Sequence, residues 1–277
     1  MSSVLQKFEI GPQWPTLDPF LFTAHHNDSY PHGGGTLAPE PSALAGRQIG
    51  SDFSNQDGWS MYHGTNVPGF PQHPHRGFET ITYVRRGFCD HTDSMGAAAR
   101  FGQGDAQWVT TGSGVVHAEM FPLLNDDDPN PLELFQIWLN LPAHDKMVPA
   151  HFTMLWSEDT PRLVKLDRQK RKTILTLIAG SFGEASAQLP PPNSWASKVQ
   201  AGIGIWHIQM QPGAEFQLPH TESADINRVI YVFDGSWIDV DGVEVEAGMG
   251  AVIQSDVPTK LIAGDDPVDA MVLQGRP

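Results

Sequence analysis

Four side chains in the first half of the sequence have the types and spacing of a metal site. His73 and His75 lie two residues apart in the run QHPHRGFET, and side chains two apart on a β-strand point to the same side. His117 and Glu119 repeat this spacing further along the chain. Two neighbouring strands that each present two inward ligands would hold a single ion. We therefore predict these four residues as the ligands of one metal.

The donor set indicates which metals would suit this site. Three neutral imidazoles and one carboxylate favour a divalent first-row metal, and non-haem iron is commonly bound by two histidines and one carboxylate, with open positions for substrate and O₂. Fe(II) therefore ranks first, ahead of Mn, Ni, Cu, Co and Zn. Structural zinc sites are closed and usually rich in cysteine, but four ligands could also close a zinc shell, so zinc remains an alternative.

The elements that would position these ligands are predicted to be β-strands. Residues 79–84 (ETITYV) alternate between two faces, and residues 132–139 (LELFQIWL) form an apolar run typical of a buried strand. Gly112 and Gly114 precede the strand that carries His117 and would let the backbone turn tightly there. Helical periodicity is hard to find, which favours an all-β fold.

Turn residues indicate how some of these strands are connected. Residues 229–233 and 237–240 are two further strand-like runs, with Asp234-Gly235 between them and Asp241-Gly242 after the second. Asp-Gly between strands is a strong hairpin signal, because both turn positions favour positive φ. The 27 glycines and 23 prolines also favour many short elements joined by turns. We expect a series of hairpins in a sandwich or barrel.

The charge of the chain limits its partners. The 277 residues carry a formal net charge of −15, and a surface this acidic repels phosphate backbones, so we expect no direct binding to nucleic acid. Six of the 17 basic residues lie between Arg162 and Lys172, and we interpret this segment as a solvated loop or hairpin tip, with a basic patch as the alternative.

The single cysteine and the absence of long apolar runs bear on localisation. Cys89 has no partner for an intrachain disulfide, which fits a reducing compartment, and we interpret it as a small buried residue rather than a redox-active thiol. No apolar run approaches the length that crosses a membrane, and the N-terminus does not resemble a secretion signal. We therefore expect a soluble, cytoplasmic protein without a membrane partner.

The sequence divides into two halves built on one plan. We predict an N-terminal domain at residues 1–150 that holds the metal site, a charged linker at residues 151–172, and a C-terminal domain at residues 173–277. Both halves resemble the cupin barrel, in which a His-x-His hairpin is followed by a later hairpin that supplies one more histidine. In the second half those positions hold the residues Pro219, His220, Thr221, Gln254, Asp256 and Thr259. Most ligands are therefore missing, and we expect the second barrel to be metal-free.

The first half closely resembles the pirin family. Residues 73–83 (HPHRGFETITY) match the first pirin signature, and residues 104–119, from GDAQW to the VVHAE run, match the second. Residues 17–20 (LDPF) resemble a segment near pirin N-termini, and residues 177–183 resemble the start of the second pirin barrel. The resemblance as a whole covers roughly residues 15 to 260.

The resemblance implies a fold and a metal site. It implies an all-β protein with two cupin barrels (double-stranded β-helix or jelly-roll) in tandem, and a metal in the N-terminal barrel alone. Carried over position by position, the ligands are His73, His75, His117 and Glu119, and iron is the usual metal. Pirins usually continue past a Gly-Arg-Pro like residues 275–277, where this sequence ends, so access to the site can differ from theirs.

The resemblance also implies two functions. Pirins are similar to quercetinases, and several open flavonols with O₂, so the first hypothesis is a dioxygenase acting on a small flavonol-like (quercetin) aromatic substrate. Glu119 would be its catalytic base, taking the proton of the substrate hydroxyl. Other pirins are described as redox-sensitive co-regulators, so the alternative is a redox- or metal-sensing regulator that acts through protein partners without turnover.

Three residues near the predicted ligands need a separate interpretation. Many cupins place a metal-binding acid at the position of Glu79, but the resemblance gives that role to Glu119, so we expect Glu79 beside the site, paired with Arg76. Phe78 and Trp108 are interpreted as core packing, with contact to an aromatic substrate as the alternative.

Overall fold

The computed structural model describes residues 2–277, and it consists of short strands joined by turns. The strands of the first part of the chain are β1 (Val4–Glu9), β2 (Gln13–Trp14), β3 (Phe20–Tyr30), β4 (Gly69–His75), β5 (Phe78–Arg86), β6 (Phe88–Asp93), β7 (Ala98–Gly102), β8 (Ala106–Thr110), β9 (Val115–Met120), β10 (Asn130–Asn140) and β11 (His151–Leu155).

The remaining strands follow in the second part of the chain. They are β12 (Arg162–Leu166), β13 (Lys172–Ala179), β14 (Ser181–Phe182), β15 (Ala185–Ser186), β16 (Gly204–Met210), β17 (Glu215–Leu218), β18 (Asn227–Asp234), β19 (Trp237–Val240), β20 (Val243–Glu246), β21 (Met249–Ile253), β22 (Thr259–Ala263) and β23 (Val268–Gly275). Four 3₁₀ turns are the helical elements of residues 2–277, at Pro41–Leu44, Gln56–Gly58, Trp195–Ser197 and Val199–Ala201. None of these turns has the length or apolar character that crossing a membrane requires. The prediction of an all-β fold is confirmed.

The first compact unit, Ala24–Ser157, is built from two antiparallel sheets. One sheet has the order β11-β8-β5-β10-β3 and the other the order β4-β9-β6-β7. Val84 on β5 and Leu134 on β10 share one hydrophobic cluster with Cys89 on β6 and Phe101 on β7, so the core fills the space between the sheets. β-Branched residues on β5 favour the extended backbone that this packing needs.

The second compact unit combines Glu158–Pro277 with the N-terminal segment that ends at Thr23. Its sheets have the orders β1-β21-β18-β23-β16-β13-β12 and β17-β22-β19-β20. The second of these repeats the order β4-β9-β6-β7 strand for strand, and β21-β18-β23-β16 repeats β8-β5-β10-β3. Both units therefore follow one plan, as the comparison of the sequence halves predicted.

The predicted domain boundaries differ from these units in two places. Residues 151–172 were predicted to be a linker, but β11 pairs with β8 in the first unit and β12 pairs with β13 in the second. Residues 1–23 were assigned to the N-terminal domain, but β1 pairs with β21, with Val4 opposite Ile253 and Glu9 opposite Met249. β1 takes the edge position in the second unit that β11 takes in the first. Each unit therefore contains one edge strand from outside the residues that were predicted for that domain.

The two Asp-Gly turns behave differently. Asp241 and Gly242 both have positive φ and join β19 to β20, which pair as the predicted hairpin. Asp234-Gly235 was predicted to form a hairpin between β18 and β19, but these strands lie in different sheets, so that prediction was wrong. There the turn carries the chain from one sheet to the other, because β18 finds its partners in β21 and β23 instead.

The basic segment from Arg162 to Lys172 is the hairpin of β12 and β13, as expected. Asp167 holds its turn, because its Oδ1 accepts hydrogen bonds from the backbone N–H groups of Gln169 and Arg171. Val164 and Leu166 on β12 are exposed, so the segment lies at the surface of its unit.

Candidate metal centre

Three of the predicted ligands meet on the paired strands β4 and β9. His73 lies directly opposite His117 in the register of these strands, and His75 follows on the same face of β4. The Nε2 atoms of His73 and His117 are 3.1 Å apart, and one ring nitrogen from each of the three histidines lies within 4.8 Å of the others. The sequence prediction that His73, His75 and His117 come together agrees with this geometry.

The backbone before β9 is shaped so that His117 reaches this position. Gly112 has a φ of +48°, and a Cβ at this residue would lie 2.1 Å from the carbonyl oxygen of Val148. Only glycine fits so close to another backbone segment. The tight turn predicted there therefore lies just before β9.

Hydrogen bonding orients the first histidine toward the other two. The Nδ1 of His73 lies 2.8 Å from the carbonyl oxygen of Pro71, an acceptor, so Nδ1 carries the proton and Nε2 keeps its lone pair. Histidines that bind metals generally donate their second ring N–H to such an acceptor. The contact therefore leaves the correct nitrogen of His73 facing the cluster.

Burial keeps the imidazoles of His75 and His117 neutral. Burial is the main cause that lowers the pKa of His75 to about 4, and the neighbouring His117 and His73 lower it further. Burial together with His73 and His91 lowers the pKa of His117 to about 3. At neutral pH both rings therefore keep a free lone pair, which is the form that binds a metal. The residues present thus fit the divalent ion that the sequence predicts.

Glu119 lies beside this cluster but groups with a different histidine. It is buried on β9, and its Oε1 accepts hydrogen bonds from the Thr82 hydroxyl at 2.7 Å and the Gln107 amide at 3.1 Å. Its carboxylate falls within 4.8 Å of ring nitrogens of His117 and His91, forming a second group of ligand atoms. The assignment of Glu119 to the same ion as His73 and His75 stays a prediction.

His91 is the residue that sequence reasoning missed. It lies on β6 opposite Glu119, is 1% exposed, and contacts Asp93 through its Nε2 at 3.1 Å. One pattern in the sequence could have indicated it, because Cys89, His91 and Asp93 lie two residues apart and so share one face of the short strand after β5. Only the pairing of β6 with β9, which no sequence motif shows, places that face against the ligands.

Aromatic rings border the histidines on one side. The rings of Phe78 and Trp138 lie 5.2 and 5.3 Å from the ring of His75 and 4.6 Å from each other. Phe70 lies 6.4 Å from His73. The packing prediction for Phe78 therefore needs correction, because this half-buried ring faces His75.

Two further expectations near the site have definite outcomes. Trp108 is buried, as predicted, and donates a hydrogen bond to Glu79, which also accepts one from Thr110. The predicted pairing of Glu79 with Arg76 was wrong, because the exposed Arg76 guanidinium contacts the sulfur of Met147. Burial places Glu79 among neutral donors inside its sheet, out of reach of a surface arginine. Cys89 is buried as expected, and burial raises the pKa of its thiol.

Comparison with known proteins agrees with this architecture. The family profile described as Pirin matches residues 3–139. A pirin-like protein of Caulobacter vibrioides is 47% identical over 76% of this chain and 69% of its own length. A Pseudomonas aeruginosa protein named as a candidate quercetin 2,3-dioxygenase is 40% identical over 76% of this chain and 70% of its own length.

A solved structure extends the comparison to the whole fold. The crystal structure of a quercetin 2,3-dioxygenase from Acinetobacter baumannii superimposes with a TM-score of 0.73, at 22% identity, over 100% of this chain and 88% of its own. The prediction of two cupin barrels in tandem is therefore confirmed.

Proposed function

The chain belongs to the pirin family, and we propose that it is a metal-dependent dioxygenase that opens flavonol-like aromatic substrates such as quercetin. The observation that carries the proposal is the cluster of three imidazoles beside a buried carboxylate and three aromatic rings, those of Phe70, Phe78 and Trp138, which we call the aromatic wall. The name of the Pseudomonas aeruginosa relative supports the same reaction.

The proposed metal ligands are His73, His75, His117 and Glu119. Both hydrogen bonds that Glu119 accepts within residues 2–277 go to Oε1, which leaves Oε2 available as a ligand atom. Imidazole and carboxylate donors suit Fe(II) first, with Mn, Ni, Cu, Co and Zn as alternatives. A divalent metal bound here would supply Lewis acidity toward the substrate hydroxyl and the redox chemistry of O₂.

The aromatic wall gives the protein a means to bind and orient the substrate. Phe78 and Trp138 present ring faces and edges next to His75, and Phe70 lies on the His73 side. Flat aromatic rings pack well against such surfaces in offset or edge-to-face arrangements. A substrate that packs against these rings would displace water from the partly exposed His73 and His75, which strengthens the electrostatic interactions there.

Glu119 is the proposed general base. Thr82 and Gln107 hold Oε1, so Oε2 is both the proposed ligand atom and the atom that would take the proton of a substrate hydroxyl once it swings off the metal. A general base must lie within hydrogen-bond reach of that proton, and Glu119 lies on the same strand face as His117.

Reconstitution of the metal-free protein tests this function. The protein is loaded separately with Fe(II), Mn, Co, Ni, Cu or Zn, and loss of quercetin absorbance is followed with and without O₂. We expect O₂-dependent turnover with at least one metal, strongly reduced in His73→Ala and Glu119→Gln. His144→Ala is the matched control, because the His144 side chain is 78% exposed. Quercetin that persists with every metal would reject this substrate.

A further inference from the structure

A second set of side chains faces the metal centre from β6. Cys89, His91 and Asp93 alternate on the inward face of this strand, whose neighbour is β9. In the register of the two strands, His91 lies opposite Glu119 and Asp93 lies opposite His117. The side chains of His91 and Asp93 are fully buried. β6 therefore brings a histidine and a carboxylate directly against two of the proposed ligands.

The local structure fixes Asp93 and, through it, the ring of His91. The Oδ1 of Asp93 accepts hydrogen bonds from the backbone N–H groups of Met95 at 2.8 Å and Ala97 at 3.0 Å, within the turn after β6. Its Oδ2 lies 3.1 Å from the Nε2 of His91. The ring of Phe152 stacks on the imidazole at a centroid distance of 4.9 Å. The His91 ring is thus held from its edge and from its face.

This arrangement leaves one nitrogen of His91 with an unused lone pair. Because the Asp93 carboxylate can only accept, Nε2 carries the shared proton, and in the neutral ring Nδ1 is then an acceptor. That Nδ1 is buried and has no hydrogen-bond partner among residues 2–277, and the same holds for the Nδ1 of His117. Leaving a buried polar atom without a partner is costly, so a ligand bound to the Nδ1 of His91 would relieve a real penalty.

A carboxylate that receives the second N–H of a histidine is the usual arrangement around a bound metal. His73 shows a related arrangement, with the Pro71 carbonyl in place of the carboxylate. His91 therefore has the orientation of a metal ligand that binds through Nδ1.

We propose that His91, His117 and Glu119 form an inner position for the metal ion, which shares His117 with the outer position formed by His73, His75 and His117. The ligand atoms of each group lie within 4.8 Å of one another. This inference rests on the proposed metal centre and adds His91 as a ligand to it.

The two positions differ in charge and exposure. The outer group consists of three imidazoles and no carboxylate, and of these His73 and His75 are partly exposed. The inner group is fully buried and contains the Glu119 carboxylate, with the Asp93 carboxylate behind His91. Imidazole nitrogens suit Cu, Ni and Zn, whereas carboxylate oxygens also suit Mn. Mn(II) should therefore prefer the inner position more strongly than Ni(II) does.

Deleting the outer position isolates the inner one. Co(II) alone is titrated under anaerobic conditions into His73→Ala/His75→Ala, with calorimetry and visible absorption as readouts. We expect this variant to bind one equivalent of Co(II). Adding His91→Gln removes a proposed ligand and should weaken that affinity at least roughly 10- to 100-fold. That is the loss expected when a residue that only hydrogen-bonds to a metal ligand is removed. Adding His144→Ala instead should leave it unchanged, because that side chain is exposed.

The outcomes separate the inference from the proposed function. The inner position would be overturned if His73→Ala/His75→Ala bound no Co(II), or if adding His91→Gln left its Co(II) affinity unchanged. In either case, Co(II) binding by the wild type would still support the outer position. A wild-type protein that binds no Co(II) would overturn the metal centre itself. Circular dichroism of each variant verifies that it is folded.

A measurement on the unaltered protein avoids the variants altogether. With ¹⁵N-labelled histidine and Zn(II), NMR distinguishes rings that bind through Nδ1 from rings that bind through Nε2. We expect the His91 ring to be bound through Nδ1, with its Nε2 still protonated, when the ion is at the inner position. We expect the His73 ring to be bound through Nε2 when the ion is at the outer position. A spectrum in which the His91 ring signals do not change on addition of Zn(II) would contradict the proposal.

Discussion

Replacing Glu133 tests how the first unit is held together. Glu133 lies on β10, is 1% exposed, and its carboxylate contacts the guanidinium groups of Arg85 at 3.0 Å and Arg86 at 2.9 Å and the ring of His25 at 3.1 Å. Burial alone would raise its pKa, but the His25 hydrogen bond and the charges of Arg85, His25 and Arg86 lower it to about 2 from an ordinary value of 4.5.

The size and sign of the effect follow from this pKa. The difference from 4.5 to about 2 corresponds to about 3 kcal/mol of stability, at 1.36 kcal/mol for each unit. Because the pKa is lower in the folded state, this contribution is fully present above about pH 4.5 and is lost as the pH falls toward 2. Glu133→Gln should therefore be destabilised by about 3 kcal/mol at pH 7, and its difference from wild type should shrink below pH 4.5.

Urea unfolding of both proteins at several pH values between 7 and 3 measures this difference. Glu184→Gln is the matched control, because Glu184 is exposed, and its unfolding free energy should match wild type throughout. A Glu133→Gln variant that is as stable as wild type at pH 7 would refute the reasoning. So would a difference that is the same at pH 3 as at pH 7.

Three further changes have defined outcomes. Burial raises the pKa of Asp28 to about 6 from 3.8, so wild type should lose up to about 3 kcal/mol as the pH rises from 4 to 6, and Asp28→Asn should remove this slope in urea unfolding. Gly112→Ala should cost more than about 1 kcal/mol, because the added Cβ meets the Val148 carbonyl at positive φ, and calorimetric metal affinity should fall with it. Phe78→Leu should raise KM for quercetin at unchanged metal content, measured by steady-state kinetics and elemental analysis. An unchanged KM would show that the Phe78 ring of the aromatic wall does not contact the substrate.

The two ligand pairs could be predicted because their spacing is local, whereas the pairing of β4 with β9 that joins them is not. On a strand, His73 and His75 must share a face, and the same spacing brings His117 and Glu119 to one face of β9. The proposed grouping of Glu119 with His91 depends instead on which strands are neighbours. That is a long-range property, and the two-residue alternation of β6 does not reveal it.

The limits of the domain prediction have the same cause. The pairing of β1 with β21 joins residues at opposite ends of the chain, and Val4 opposite Ile253 leaves no mark in the local sequence. Turn chemistry is also ambiguous, since Asp241-Gly242 and Asp234-Gly235 have the same residues. Only the first joins paired strands, because the partners of β18 are decided by the whole sheet.

Oxygen labelling tests the proposed dioxygenase reaction most directly. Metal-loaded protein is mixed with quercetin under ¹⁸O₂, and the ring-opened product is analysed by mass spectrometry. The account predicts a product that carries both atoms of the same O₂ molecule, and it predicts loss of this product in His73→Ala. Quercetin consumed without label in the product, or equal yields from wild type and His73→Ala, would contradict it.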